Sequence, residues 1–243
     1  MRRWREDDRA PFAAMNADPE VMRYFPAPLD RAASDALVDR IEDLFGRQGF
    51  GLWALEVAGP EPGHAELAGP DPASPDPAAP DPASTEPASP ELASTEPAST
   101  GEFIGFTGLN PMPPGVPGAG GLEVGWRLAR HAWHHGYATE AAMAAAGVAF
   151  GGAGVAEIWS MTAAANVPSQ AVMRRLGMTL HTRFDHPAIG AGHPLRPHVA
   201  YHLARSSQSG WWSAPRHGSQ HRSRVGTSVP SRHIPSENQE ISR

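Results

Sequence analysis

The sequence predicts one mixed α/β domain interrupted by a long insertion and followed by a long tail. Three observations predict it. Strand-like and helix-like segments interleave through residues 1–57 and 101–205, roughly 160 residues, the size of one ordinary domain. An acidic five-residue repeat separates the two stretches. From 206 to 243 the chain is polar and has no hydrophobic period.

Within the core the elements follow in order. Asp7 or Asp8 to Asn16 reads as a short helix. Ser34 is placed to cap a second helix over 35–45, which carries Leu37, Ile41, Leu44 and Phe45 on one face. Residues 51–57 and 102–109 read as two strands of a hairpin, with the insertion at its tip. From Leu122 to Leu128 the side chains alternate: Leu122, Val124, Trp126 and Leu128 face one way, Glu123, Gly125 and Arg127 the other. An Ala-rich stretch over 139–150 has high helix propensity. A strand over 157–162, a helix over 168–176 and a last strand over 199–204 complete the core. Pro168 opens that helix and Gly177 closes it.

The insertion, 58–100, holds eight acids and no Lys or Arg, and from Glu66 to Thr100 seven pentads follow one another without a break. Proline removes backbone donors, and an acid every fifth residue repels its neighbours. A disordered or extended segment is expected there. Loop-closure entropy grows only logarithmically, so a surface loop tolerates such an expansion, which makes a passive repeat the expectation over a docking arm. The tail, 206–243, is read as disordered despite the pair Trp211 and Trp212.

Composition excludes several classes. There is no Cys, hence no disulfide scaffold and no thiolate metal site. All 20 basic side chains are Arg. Outside the insertion and tail the charge is near neutral, which is no footprint for nucleic acid. No signal-like segment opens the chain, and its most apolar stretch, 141–156, is too short to span a bilayer. A cytoplasmic location without membrane contact is expected. His131, His134 and His135 cluster, but no His-Glu-x-x-His helix is present, and no metal is expected.

The chemistry centres on residues 122–141. A strand ends, a short loop carries Trp133, His134, His135 and Gly136, and a helix opens at Tyr137, Ala138 and Thr139. A helix start leaves free N–H groups and a partial positive charge, which suits a pyrophosphate. Many strand–loop–helix turns share this feature and bind nothing. Neither a Walker loop nor a Gly-x-Gly-x-x-Gly fingerprint is present.

The run Leu122-Glu-Val-Gly-Trp-Arg-Leu128, followed by His134-His-Gly-Tyr-Ala-Thr-Glu-Ala141, resembles the acetyl-CoA-binding motif of the GNAT superfamily of N-acetyltransferases. The family's pyrophosphate loop is usually Gln/Arg-x-x-Gly-x-Gly/Ala, and Trp133-His-His-Gly136-Tyr-Ala138 fills it here. Trp133 in its first position is similar to the branch of ribosomal-protein N-terminal (Rim-type) acetyltransferases. So is Asn166-Val-Pro-Ser169, which leads into a helix ending Leu176-Gly-Met178. Asp18-Pro-Glu-Val-Met-Arg-Tyr-Phe25 and His193-Pro-Leu-Arg-Pro-His-Val-Ala-Tyr-His-Leu203 also resemble that branch. The likeness covers nearly all of the core.

The resemblance implies a GNAT fold: a mixed, mostly antiparallel sheet that splays at the acetyl-CoA site, with flanking helices. The co-substrate's pantetheine arm would pair with backbone from Val124 through Trp126 to Leu128. Its pyrophosphate would meet the turn from Trp133 to Thr139. A primary amine, from a protein N-terminus or a small molecule, would attack the thioester directly. Glu123 is the implied base, alternatively a strand carboxylate paired with Arg127. Ser169 would protonate the leaving thiolate or hold a water, or else serve the helix start; the Tyr that many family members place on that helix is absent. Asn166 would contact pantetheine or cap the helix, and Arg175 or Arg174 would reach a CoA phosphate or face solvent. Aminoglycoside-like and polyamine acceptors stay open, as do monomer and homodimer. A non-catalytic acyl-CoA-binding domain is the rival, because the chain opens at Met1-Arg-Arg-Trp4 where the family usually has a longer first strand.

Overall fold

A computed structural model describes residues 1–57 and 101–205. The repeat and the tail, with the disorder expected of them, lie outside the described residues.

Among the described residues, five helices and six strands follow in the order α1 (Arg9–Ala17), α2 (Pro19–Met22), α3 (Arg31–Gln48), β1 (Leu52–Val57), β2 (Glu102–Pro111), β3 (Leu122–Leu128), α4 (Tyr137–Gly151), β4 (Glu157–Ala163), α5 (Val167–Arg175), β5 (Thr179–Asp185) and β6 (Pro197–Ala204). Short 3₁₀ turns at Glu6–Asp8 and Arg130–Ala132 precede α1 and the loop into α4. The strands form one sheet in the order β1-β2-β3-β4-β6-β5, antiparallel except between β3 and β4. The expected mixed sheet is therefore present. β1 and β2 pair as the expected hairpin, with Val57 opposite Glu102 as its last pair.

Two expectations need correction. The helix that becomes α3 starts four residues early, because Asp30 and not Ser34 caps it: the Asp30 carboxylate accepts from the Ala33 N–H at 2.7 Å. Ser34 lies inside the helix, fully buried, and its hydroxyl accepts from Asn16 Nδ2 at 3.2 Å. The buried face is Ser34, Val38, Ile41 and Phe45, with Leu37 and Leu44 only half-buried. β5 adds a strand that the sequence pattern does not announce: it is mostly exposed, so its residues carry little burial pattern.

One face of the sheet is covered by an aromatic cluster. A bulge between Leu55 and Glu56 of β1 leaves Ile104 of β2 unpaired and turns both Phe103 and Phe106 to one side. Both rings meet Trp4 and Phe12, with centroids 5.7 to 6.5 Å apart. The opposite face takes α4, whose Ala141, Ala142, Ala145, Ala146 and Ala149 are buried together with Phe150. Small side chains let that helix lie close to β2 and β3. A second cluster, Met112, Val116, Trp159 and Ala200, forms where the β2–β3 connection folds over β4 and β6.

At the outer edge, Arg2 and Ala54 exchange two 3.0 Å backbone hydrogen bonds, a single bridge beside β1. The Arg2 side chain clamps that edge: it donates to both oxygens of buried Asp8, at 2.6 and 2.8 Å, and to Glu56 at 2.6 Å. Removing one partner of a buried ion pair leaves the others uncompensated. Arg2→Met is therefore expected to destabilise the domain by about 3 kcal/mol, read from chemical denaturation at pH 7.

Candidate active site

The site begins with a break in the sheet. β3 and β4 pair at two positions, Leu122 with Ile158 and Glu123 with Trp159. Beyond them the two strands part, while each keeps its outer neighbour: β2 runs along all of β3, and β6 along all of β4. The result is the splay expected between these strands. Ala129 N–H donates to Ile104 at 2.9 Å, and the Gly125 carbonyl accepts from Thr107 Oγ1 at 3.0 Å. Odd-numbered backbone groups of β3 thus face β2. By alternation, those of Val124, Trp126 and Leu128 face the gap. One is already used: the Leu128 carbonyl accepts from Trp133 Nε1 at 2.9 Å. Trp133 thereby ties the loop to the end of β3.

Glu123 sits at the apex of the gap. Its Oε1 accepts from the Met161 N–H of β4 at 3.4 Å. Burial pushes its carboxyl up to about 7, and the Met161 amide offsets only part of that. The pairing with Arg127 does not form. Arg127 donates to Asn16 Oδ1 at 2.7 Å instead, and its guanidinium lies 4.2 Å from the Phe25 ring centroid and 5.4 Å from that of Phe106. Burial pulls the Arg127 guanidinium down to about 10, so it stays charged at neutral pH.

The loop into α4 takes two left-handed residues, His134 (φ 66°) and Gly136 (φ 86°). Gly136 needs glycine for that φ and not for space, since an added Cβ would meet nothing within 4 Å. Its carbonyl accepts from the Thr139 and Glu140 N–H groups at 3.0 and 3.1 Å. Thr139 therefore does not offer a free amide. The N–H groups of Gly136, Tyr137 and Ala138 have no helical partner and lie at the positive end of α4. The His135 and Tyr137 rings stack at 5.4 Å. His131 turns away to Glu102, 3.2 Å off. Among the described residues no group of three or more His, Asp or Glu is arranged to hold a metal.

At the start of α5, Asn166 is the cap. Its Oδ1 accepts from the Ser169 N–H at 3.2 Å and its Nδ2 donates to Thr162 Oγ1 at 2.9 Å. Ser169 is half-buried. Arg174 reaches the Tyr201 hydroxyl at 3.5 Å, which leaves Arg175, exposed at the end of α5, as the more available cation. The structure thus brings Glu123, the β3 edge and Trp133 around one gap. Sequence reasoning missed Asn16, Phe25 and Met161. Neither the Met161 amide nor the Asn16–Arg127 contact across 111 residues has a local signature.

The sheet is thus open between two parallel strands, with a carboxyl of raised pKa at the apex of the opening and the N-terminus of α4 following the far end of β3. The chain is similar to solved acetyltransferases. One from Agrobacterium tumefaciens is 21% identical, with 84% of this chain and 89% of that chain covered and a TM-score of 0.53. The ribosomal-protein-alanine N-acetyltransferase from Brucella melitensis is 15% identical, covering 84% and 98%, with a TM-score of 0.53. The spermidine N-acetyltransferase from Vibrio cholerae, in complex with CoA and spermine, is 12% identical, covering 84% and 93%, with a TM-score of 0.53. At these identities the likeness establishes the fold. The model of the acetyltransferase (GNAT) domain matches residues 1–179, most of the chain, and so the protein belongs to the GNAT family of acetyltransferases.

Proposed function

We propose that this protein transfers the acetyl group of acetyl-CoA directly to a primary amine, with Glu123 as the general base. The observation that carries the reading is the placement of Glu123: at the apex of the gap, with a carboxyl of pKa about 7. A base is most effective when its pKa lies near the working pH. An ordinary glutamate, near 4.3, would be too weak to take a proton from an ammonium group, while one near 7 works directly or through water.

The donors at Gly136, Tyr137 and Ala138 suit the pyrophosphate, His134 shapes the turn that presents them, and Arg175 is available to a further phosphate. Val124 and Trp126 offer backbone groups to the pantetheine arm, and a β3 N–H there is the proposed polariser of the thioester carbonyl. Acetyl-CoA supplies the activated acyl group: the amine forms the C–N bond, the C–S bond breaks, and the amine proton passes to Glu123. Ser169 is the proposed route for the proton that the thiolate takes up. Asn166, with both polar atoms engaged, acts by holding the start of α5 in place. The acceptor is a protein or peptide N-terminus or a small-molecule amine, and an α-amine with a pKa near 7.7–8.0 needs the least help from Glu123.

The test is a mass-spectrometric screen for acetylated products, with purified full chain, isotopically labelled acetyl-CoA and a panel of amines and peptides, alongside calorimetry with CoA. Labelled amide product supports the reading. CoA binding without turnover on any amine points to a non-catalytic acyl-CoA-binding domain.

A further inference from the structure

The geometry points to Arg127 as a specificity-determining residue that selects an acceptor carrying a carboxylate close to its amine. This inference rests on the acetyl transfer proposed above and names the class of acceptor.

Arg127 stands apart from the other shielded arginines. Arg2, Arg9 and Arg196 are each partly buried, and each has a carboxylate within 3.1 Å. Arg127 is partly buried and, among the described residues, has none. Its one polar partner there is the neutral oxygen of Asn16, and its Nε is buried with no acceptor. A shielded guanidinium that lacks its counter-charge costs folding energy, and a buried donor without a partner adds to that cost. A carboxylate arriving with the acceptor removes both costs and accepts two parallel N–H bonds.

Its place in the sheet fits this role. Arg127 and Glu123 project from the same face of β3, four residues and so roughly 13 Å of strand apart. Between them on that face is only Gly125, where an added Cβ would meet nothing within 4 Å. That open floor lies alongside the gap that would receive the thioester. Asn16 of α1 and Phe25, just beyond α2, hold the guanidinium from the other side. Phe25 is 38% exposed, one of the few large apolar side chains among the described residues that face solvent, and it marks the mouth of this floor. A polycationic acceptor would meet an uncompensated positive charge here, which selects against it.

The test uses the full chain and four acceptors: a tripeptide with Glu at its second position, the same peptide with Gln there, free glutamate and spermidine. The wild type is expected to use the Glu peptide or free glutamate at least about 10-fold better, in kcat/KM, than the Gln peptide. Whichever of the Glu peptide and free glutamate is preferred identifies a peptide or a small-molecule source of the carboxylate. Arg127→Met should bring the Glu and Gln peptides within about twofold of each other with CoA affinity unchanged, and Arg127→Lys should keep part of the preference. Asn16→Asp places a carboxylate against the guanidinium, and is expected to lower the preference while leaving Arg127 and the packing in place. Equal use of the two peptides by the wild type, a preference for spermidine, or an equal loss on both peptides in Arg127→Met would each overturn the assignment while leaving acetyl transfer standing. Turnover on the wider amine panel with none of these four acceptors used would overturn this inference alone, and CoA binding without turnover on any amine of that panel would overturn the proposed function and this inference with it.

Discussion

Glu123→Gln is expected to lower kcat by about 100-fold at pH 8 and to leave CoA affinity within about twofold, since a positioned base contributes a factor of that order. The amide keeps the shape and still accepts from the Met161 N–H, so the gap stays intact. In the wild type burial holds the carboxyl at about 7, and the form that the proposed role requires is the carboxylate. Its kcat should therefore rise through pH 7, and the Gln variant should lack that limb. A stability measurement separates this role from a structural one. The folded pKa lies above the unfolded value near 4.5, so the charged form disfavours folding. That cost is absent below pH 4.5, grows between pH 4.5 and 7 and is complete above 7. Glu123→Gln should match the wild type at pH 4 and exceed it at pH 8 by about 1–2 kcal/mol, a melting-temperature gain of a few degrees. A variant that loses both activity and stability at pH 8 would contradict the catalytic assignment.

Gly136→Val is expected to weaken CoA binding by at least about 10-fold, measured by calorimetry, with a loss of only about 1–2 kcal/mol in folding stability. Space is not the issue, because an added side chain meets no atom within 4 Å. The backbone at φ 86° is the issue: a β-branched residue resists it, and relaxation would swing the Gly136 and Tyr137 amides out of the set proposed to meet the pyrophosphate. Gly136→Asn, which tolerates a left-handed backbone better, should recover most of the affinity. If the Gly136→Val variant bound CoA as the wild type does, the pyrophosphate would have to lie elsewhere.

The elements legible in the sequence are those whose side chains are sorted by burial. The alternation over 122–128 and the alanines of α4 each imply a face, and both faces are present. β5 is not legible, because exposed strands are not sorted that way and its shape comes from pairing with β6. Ser34 and Asp30 are both good caps, four residues apart, and the choice between them is made in three dimensions: the Ser34 hydroxyl is claimed by Asn16 from α1. The same limit applies to the site. The loop from Trp133 to Ala138 is a continuous run that a reader can recognise. The surroundings of Glu123 and Arg127 are assembled from α1, the segment beyond α2, and β4, and only folding brings them together.

The seam between β3 and β4 has a mechanical consequence. Among the described residues, the strand pairing between one three-stranded half of the sheet and the other is two residue pairs long, so small relative motions of the halves break few ladder bonds. A ligand lying along the unpaired edge would act as a splint across them. Occupancy would then be felt well away from the thioester, as slower amide exchange along both flanking strands and a melting point that climbs with ligand concentration.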